Sequence, residues 1–121
     1  MATDIWFGRS ILEEPDALHP IGQPHAEYEM DGYDMSVFSN VEPSYAEVLA
    51  VRAGRVAMVR DFLSTVTAED LTAPRINPWN ANRQESTLSC LHVIIGEEWE
   101  HHRFALRDLD TLDAAGRRSD S

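Results

Sequence analysis

Cys90-Leu91-His92-Val93-Ile94-Ile95-Gly96-Glu97-Glu98-Trp99-Glu100-His101-His102-Arg103-Phe104-Ala105-Leu106-Arg107-Asp108-Leu109 is the stretch on which the fold of this chain turns. It joins an apolar helical pattern to three imidazoles and three glutamates within one continuous segment. Leu88, Leu91, Ile95, Trp99, His102, Leu106, Leu109 and Asp113 recur at spacings of three and four, the period of one helix face. The spacing predicts an unbroken rod from near Glu85 or Ser86 to about Ala115, with its Trp99 edge turned into a packed interior. Gly116 is the expected stop, and such a rod is roughly 45 Å long. Two readings follow for its polar residues. Either they bind a metal or substrate inside a helix bundle, or they are surface groups on a packing helix.

Upstream of the rod, Ala73 to Gln84 carries Pro74, Pro78, Trp79 and three asparagines and reads as a loop. Thr67-Ala68-Glu69-Asp70 restarts a short helical turn, with threonine as cap and acids in the first turn. Ser44-Tyr45-Ala46-Glu47 has the form of a capping box, and the helix it opens runs through Thr65. Its apolar residues are Tyr45, Val48, Leu49, Val56, Val59, Phe62, Leu63 and Val66, mostly on one side, while Gly54 suggests the close approach of a neighbour. Residues 13–42 form an acidic loop punctuated by prolines and glycines, with no arginine between Arg9 and Arg52. Structureless connections seldom exceed about 12–15 residues, so Leu18, Ile21, Tyr28, Met30, Tyr33, Val37 and Phe38 are expected to lie down on the bundle. Thr3 to Leu12 is already helical in pattern, as though entered part-way.

No strand-like alternation of useful length appears, and the fold class is all-α: an incomplete up-down helix bundle with a long acidic loop. Its 121 residues suffice for one domain, spanning 1–116, with 117–121 as a frayed tail. The formal charge of −11 argues against nucleic-acid and anionic membrane partners, since neither tolerates the lack of a basic patch. No apolar run approaches the ~20 residues of a membrane span. One cysteine, Cys90, excludes an internal disulfide and suits a reducing, cytoplasmic setting.

Several side chains could carry chemistry. His102 shares the Trp99 and Leu106 face and is the inward-facing candidate; His101 points about 100° away, toward solvent. His92 and His102 lie about 15 Å apart along the axis and cannot share one ion. Glu98 stands at i, i+3 from His101 and i, i+4 from His102, the glutamate-histidine unit of di-iron bundles, which those bundles use twice. His19 and His25 belong to the loop. Cys90 reads as a small buried filler, Arg103 and Arg107 as a salt-bridged outer face, and the three tryptophans as core.

The last-helix elements Leu91-His92-Val93-Ile94, Glu97-Glu98-Trp99 and His101-His102, preceded by the Asp4-Ile5-Trp6-Phe7 helix and the acidic loop, resemble the DinB-like superfamily. The resemblance is strongest to its mini-circle-protein branch and to mycothiol-dependent maleylpyruvate isomerase N-terminal domains. It implies a four-helix bundle and, in many members, a divalent metal on three histidines that activates a low-molecular-weight thiol or water. Transferred to this chain, one ligand falls on His102, with Glu98 as a weaker candidate, and the next falls on Ala105, which cannot ligate. The second-helix ligand is expected just upstream of Thr3, and the first helix of the bundle has no counterpart here. The expectation is therefore a DinB-like binding or structural module without a complete metal triad. The alternative is a zinc- or nickel-dependent mycothiol-type transferase or isomerase, with the missing ligands supplied upstream. A bundle lacking one helix exposes an apolar stripe; the expectation is a true start upstream of Met1, and the alternative is a homodimer through that stripe.

Overall fold

The computed structural model describes residues 1–22, 29–30 and 32–119. Helix α1 spans Thr3–Arg9, α2 Tyr45–Thr65, α3 Ala68–Thr72 and α4 Thr87–Ser119. Strands β1 (Pro74–Asn77) and β2 (Asn80–Ser86) stand between α3 and α4, so the mostly helical fold carries a small antiparallel sheet.

Helix α1 is wound wider than an α-helix. Ser10 N donates to Ile5 O and Leu12 N to Phe7 O, each five residues back. Its Ile5 and Phe7 are buried, and Gly8 lets Ala17 approach to within 3.0 Å of where a Cβ would stand. Both predicted caps are present. Ser44 Oγ accepts from Glu47 N while Glu47 Oε2 accepts from Ser44 N, at 3.2 and 2.7 Å. Thr67 and Asp70 exchange the same pair of bonds at the start of α3.

The core gathers Phe7 and Ile11 from the first segment with Cys90, Leu91 and Ile94 from α4, covered by Trp6, Met58, Val59, Phe62 and Leu71. Phe7 meets Phe62 edge-on at 5.3 Å between ring centres. The order of contacts fixes the directions. Asp4 pairs with Arg55 and Phe7 with Phe62, so α1 and α2 run in the same sense. Arg52 pairs with Glu98, while Val59 and Phe62 lie against the core cluster to which α4 contributes its earlier residues Cys90, Leu91 and Ile94, so α4 runs against both. The expected up-down alternation therefore gives way to two parallel elements joined by the residue 10–44 crossover.

Three further expectations are corrected. Residues 74–86 form a hairpin, not a loop. Asn77 Oδ1 accepts from Trp79 N and Asn80 N, so an asparagine side chain builds the turn. Helix α4 starts at Thr87, later than expected, and passes through Gly116, whose helical conformation needs no stop; its 33 residues reach roughly 50 Å. The rod is unbroken at Gly96, but Trp99 faces outward, 61% exposed. Thr87, Cys90, Leu91 and Ile94 make the inward face instead, and Trp99 stands roughly 130° around the helix from its centre.

Helix α2 shows the same division. Met58, Val59 and Phe62 lie against the core, whereas Tyr45, Leu49, Val56 and Leu63 stay exposed on another side. Its apolar residues are thus split between two faces. Nothing approaches Gly54 within 4 Å, so the neighbour expected there does not exist among the described residues.

Candidate functional site

The glutamates of α4, with His101 and His102, stand on the part of the rod that leaves the core. Every residue from 95 to 113 is exposed. Glu98 reaches across to α2, where both of its carboxylate oxygens meet Arg52: Oε1 accepts from Nη1, and Oε2 accepts from Nη2 at 2.8 Å. The carboxylate holds the guanidinium more firmly protonated than usual, chiefly through this hydrogen bond. His101 turns back to Glu97, with Nε2 3.4 Å from Oε2. His102 lies beside the Trp99 ring at 6.3 Å. It is exposed, where an inward position was expected.

This donor set does not fit a divalent ion. A metal bound at Glu98 would sit against a guanidinium already spending its charge on that carboxylate, and position 105 offers only a methyl group. Among the described residues no three histidine, cysteine, aspartate or glutamate side chains converge closely enough to hold a metal. His92 is exposed, far from the other imidazoles along the helix. His19 is half-buried and its Nδ1 accepts from Ile21 N at 3.0 Å, and His25 lies outside the described residues.

Cys90 is fully buried, as a small filler should be. Burial pushes its thiol pKa up, and the Glu85 carboxylate adds to the shift. It is poorly suited to nucleophilic work. Arg103 and Arg107 form the expected salt-bridged face with Glu100 and Asp108.

A feature that sequence reasoning missed lies beside α1. A cleft of about 200 Å³ is bounded by Ile5, Leu18, Tyr33 and Val37, with Asp4 and Arg9 among its polar walls. The Arg9 guanidinium sits 4.6 Å above the Tyr33 ring, and Tyr33 in turn lies 5.4 Å from Trp79 of the hairpin turn. Three separate segments are thereby tied together. Three of the cleft's charges are engaged: Asp4 by Arg55, Arg9 by Tyr33, and Asp34 by the hydroxyl and amide of Ser36, which lower its carboxyl pKa.

The remaining feature is the outer seam of α4. Leu88, His92, Ile95, Trp99, His102, Leu106, Leu109 and Asp113 alternate by four and three, and its large apolar members are between 42% and 64% exposed. No helix of the described residues is long and apolar enough to cross a membrane.

Comparison with known proteins gives one family. The family model described as the DinB superfamily matches residues 2–105, from the start of α1 into the projecting half of α4. No curated protein and no solved structure matches.

Proposed function

The chain belongs to the DinB superfamily, and from that premise we propose that it is a helical binding or structural module working without a complete metal triad. The observation that carries this reading is the two-point ion pair of Glu98 with Arg52. It commits the one carboxylate beside His102 to holding α4 against α2. The engagement of Asp4, Arg9 and Asp34 in the cleft and the apolar outer seam support the same reading: this surface is shaped for contact, not for activating water or thiol.

Calorimetric titration of the metal-stripped chain with Zn²⁺ and with Ni²⁺ tests it. The expected result is only weak binding, unchanged in His102→Ala and Glu98→Gln. Tight one-to-one binding that disappears in His102→Ala would overturn the proposal and favour the metal-dependent thiol transferase or isomerase instead.

A further inference from the structure

We propose that the outer seam of α4 pairs with the same seam of a second copy of this chain, the two helices running antiparallel. The seam runs Leu88, His92, Ile95, Trp99, His102, Leu106, Leu109 and Asp113, and its alternation of four and three is the register in which two helices interlock. From 95 to 113 the rod is exposed throughout, with Glu98 tied to Arg52, whereas helices in proteins draw most of their stability from packing an apolar face.

The seam itself identifies the occupant. At full antiparallel overlap, Ile95 meets Leu106 of the second copy, Trp99 meets His102, and Leu109 meets His92. The same contacts recur across the two-fold axis, so the pairing closes on itself. The flanking positions agree. Arg103 falls opposite Gly96, and Glu98 opposite Ala105, so no like charges are directly apposed despite a net charge of −11. The area is also adequate. Leu88, Ile95, Trp99, Leu106 and Leu109 are 42–64% exposed. With Leu112 and the stems of Glu98 and Arg103 they offer on the order of 700 Å² per copy, against roughly 800 Å² in a standard stable interface.

Light scattering coupled to size separation reads the result directly. The unsubstituted chain is expected at twice its 13.7 kDa mass at tens of micromolar. Trp99→Glu and Leu106→Glu are expected at the single-chain mass with helicity retained, because both positions are exposed in one copy. Leu109→Ala keeps helix propensity and is expected to weaken dimerisation at least tenfold. Leu63→Glu, on the separate stripe of α2, is expected to leave the dimer intact. Orientation is read by oxidising a mixture of Ile95→Cys and Leu106→Cys chains. Cross-links between the two variants support the antiparallel pairing, and cross-links only within each variant overturn it. A folded monomer, or a dimer indifferent to all three seam substitutions, overturns the proposal as a whole. Neither result bears on the reading without a metal triad, which rests on the titration of Zn²⁺ and Ni²⁺.

Discussion

Asp4 and Arg55 form an ion pair that joins the first helix to the second, with the Asp4 side chain 4% exposed and that of Arg55 27%. A buried carboxylate is tolerable only with its cation in place, since its own hydration has been removed. The pair therefore constrains geometry more than it contributes net stability. It sets α1 in the same direction as α2, at the level where Phe7 reaches Phe62.

Arg55→Ala should accordingly destabilise the fold by up to about 3 kcal/mol, by leaving the buried Asp4 only the amino group of Met1, 3.9 Å from Oδ2, as counter-charge. Asp4→Asn should cost less, because an amide carries no charge to strand. Urea unfolding of the two variants checks the order. An Arg55→Ala variant as stable as the parent would show that Asp4 is hydrated after all.

Gly22 lies against the Phe38 ring so closely that a Cβ would overlap it. Phe38 is itself buried, and Asn40 N donates to Pro20 O nearby, so neither side has freedom to yield. Gly22→Ala should cost about 1–3 kcal/mol by overpacking, and Gly22→Ala with Phe38→Leu should recover part of it. Thermal unfolding of the single and double variants is the check. Additive losses would place the strain elsewhere.

The Cys90 thiol, fully buried and with its pKa raised, should resist alkylation in the native chain and react only on unfolding. The sign of its pH dependence follows. The folded state holds the proton more tightly than the unfolded one, so its share of stability is complete below the ordinary thiol range. That share is lost as pH rises through the folded value. Cys90→Ala should flatten the alkaline side of the stability curve while lowering the curve by about 1 kcal/mol for the lost packing.

The two helix caps act at the acid end. Bonds from Ser44 lower the Glu47 pKa, and bonds from Thr67 lower that of Asp70. Carboxylates depressed in the folded state stabilise it above the ordinary carboxylate range and lose that contribution as pH falls through their folded values. Thermal midpoints followed downward from about pH 5 should drop more gently in Ser44→Ala with Thr67→Ala than in the parent. Parallel curves would remove the caps from the acid transition.

Local signals were legible where one residue's chemistry dictates one local shape. Ser44 with Glu47 and Thr67 with Asp70 announced both helix starts, and proline-free periodicity announced α4 through Gly96. What periodicity could not supply was the direction of the stripe. A repeat of three and four marks a face, and α4 has two: Thr87, Cys90, Leu91 and Ile94 inward, and the Trp99 seam outward. Only tertiary contacts choose between them. The hairpin was hidden for another reason: its turn depends on the side chain of Asn77, and β2 consists almost wholly of polar residues. The site was legible least of all. Glu98 looked like a ligand from its spacing to His102, and its real partner stands 46 residues away on α2.

Because α1 and α2 point the same way, the chain must travel back along α2 before it can begin that helix at Tyr45. Phe7 lies near Phe62, so the return journey covers about 25 Å. Some eight extended residues would span it. The rest of the crossover is surplus to that distance, and Leu18, Tyr33 and Val37 use the extra length to wall the cleft. Shortening this stretch toward the minimum would still let the helices stand, but it would erase the hollow beside them.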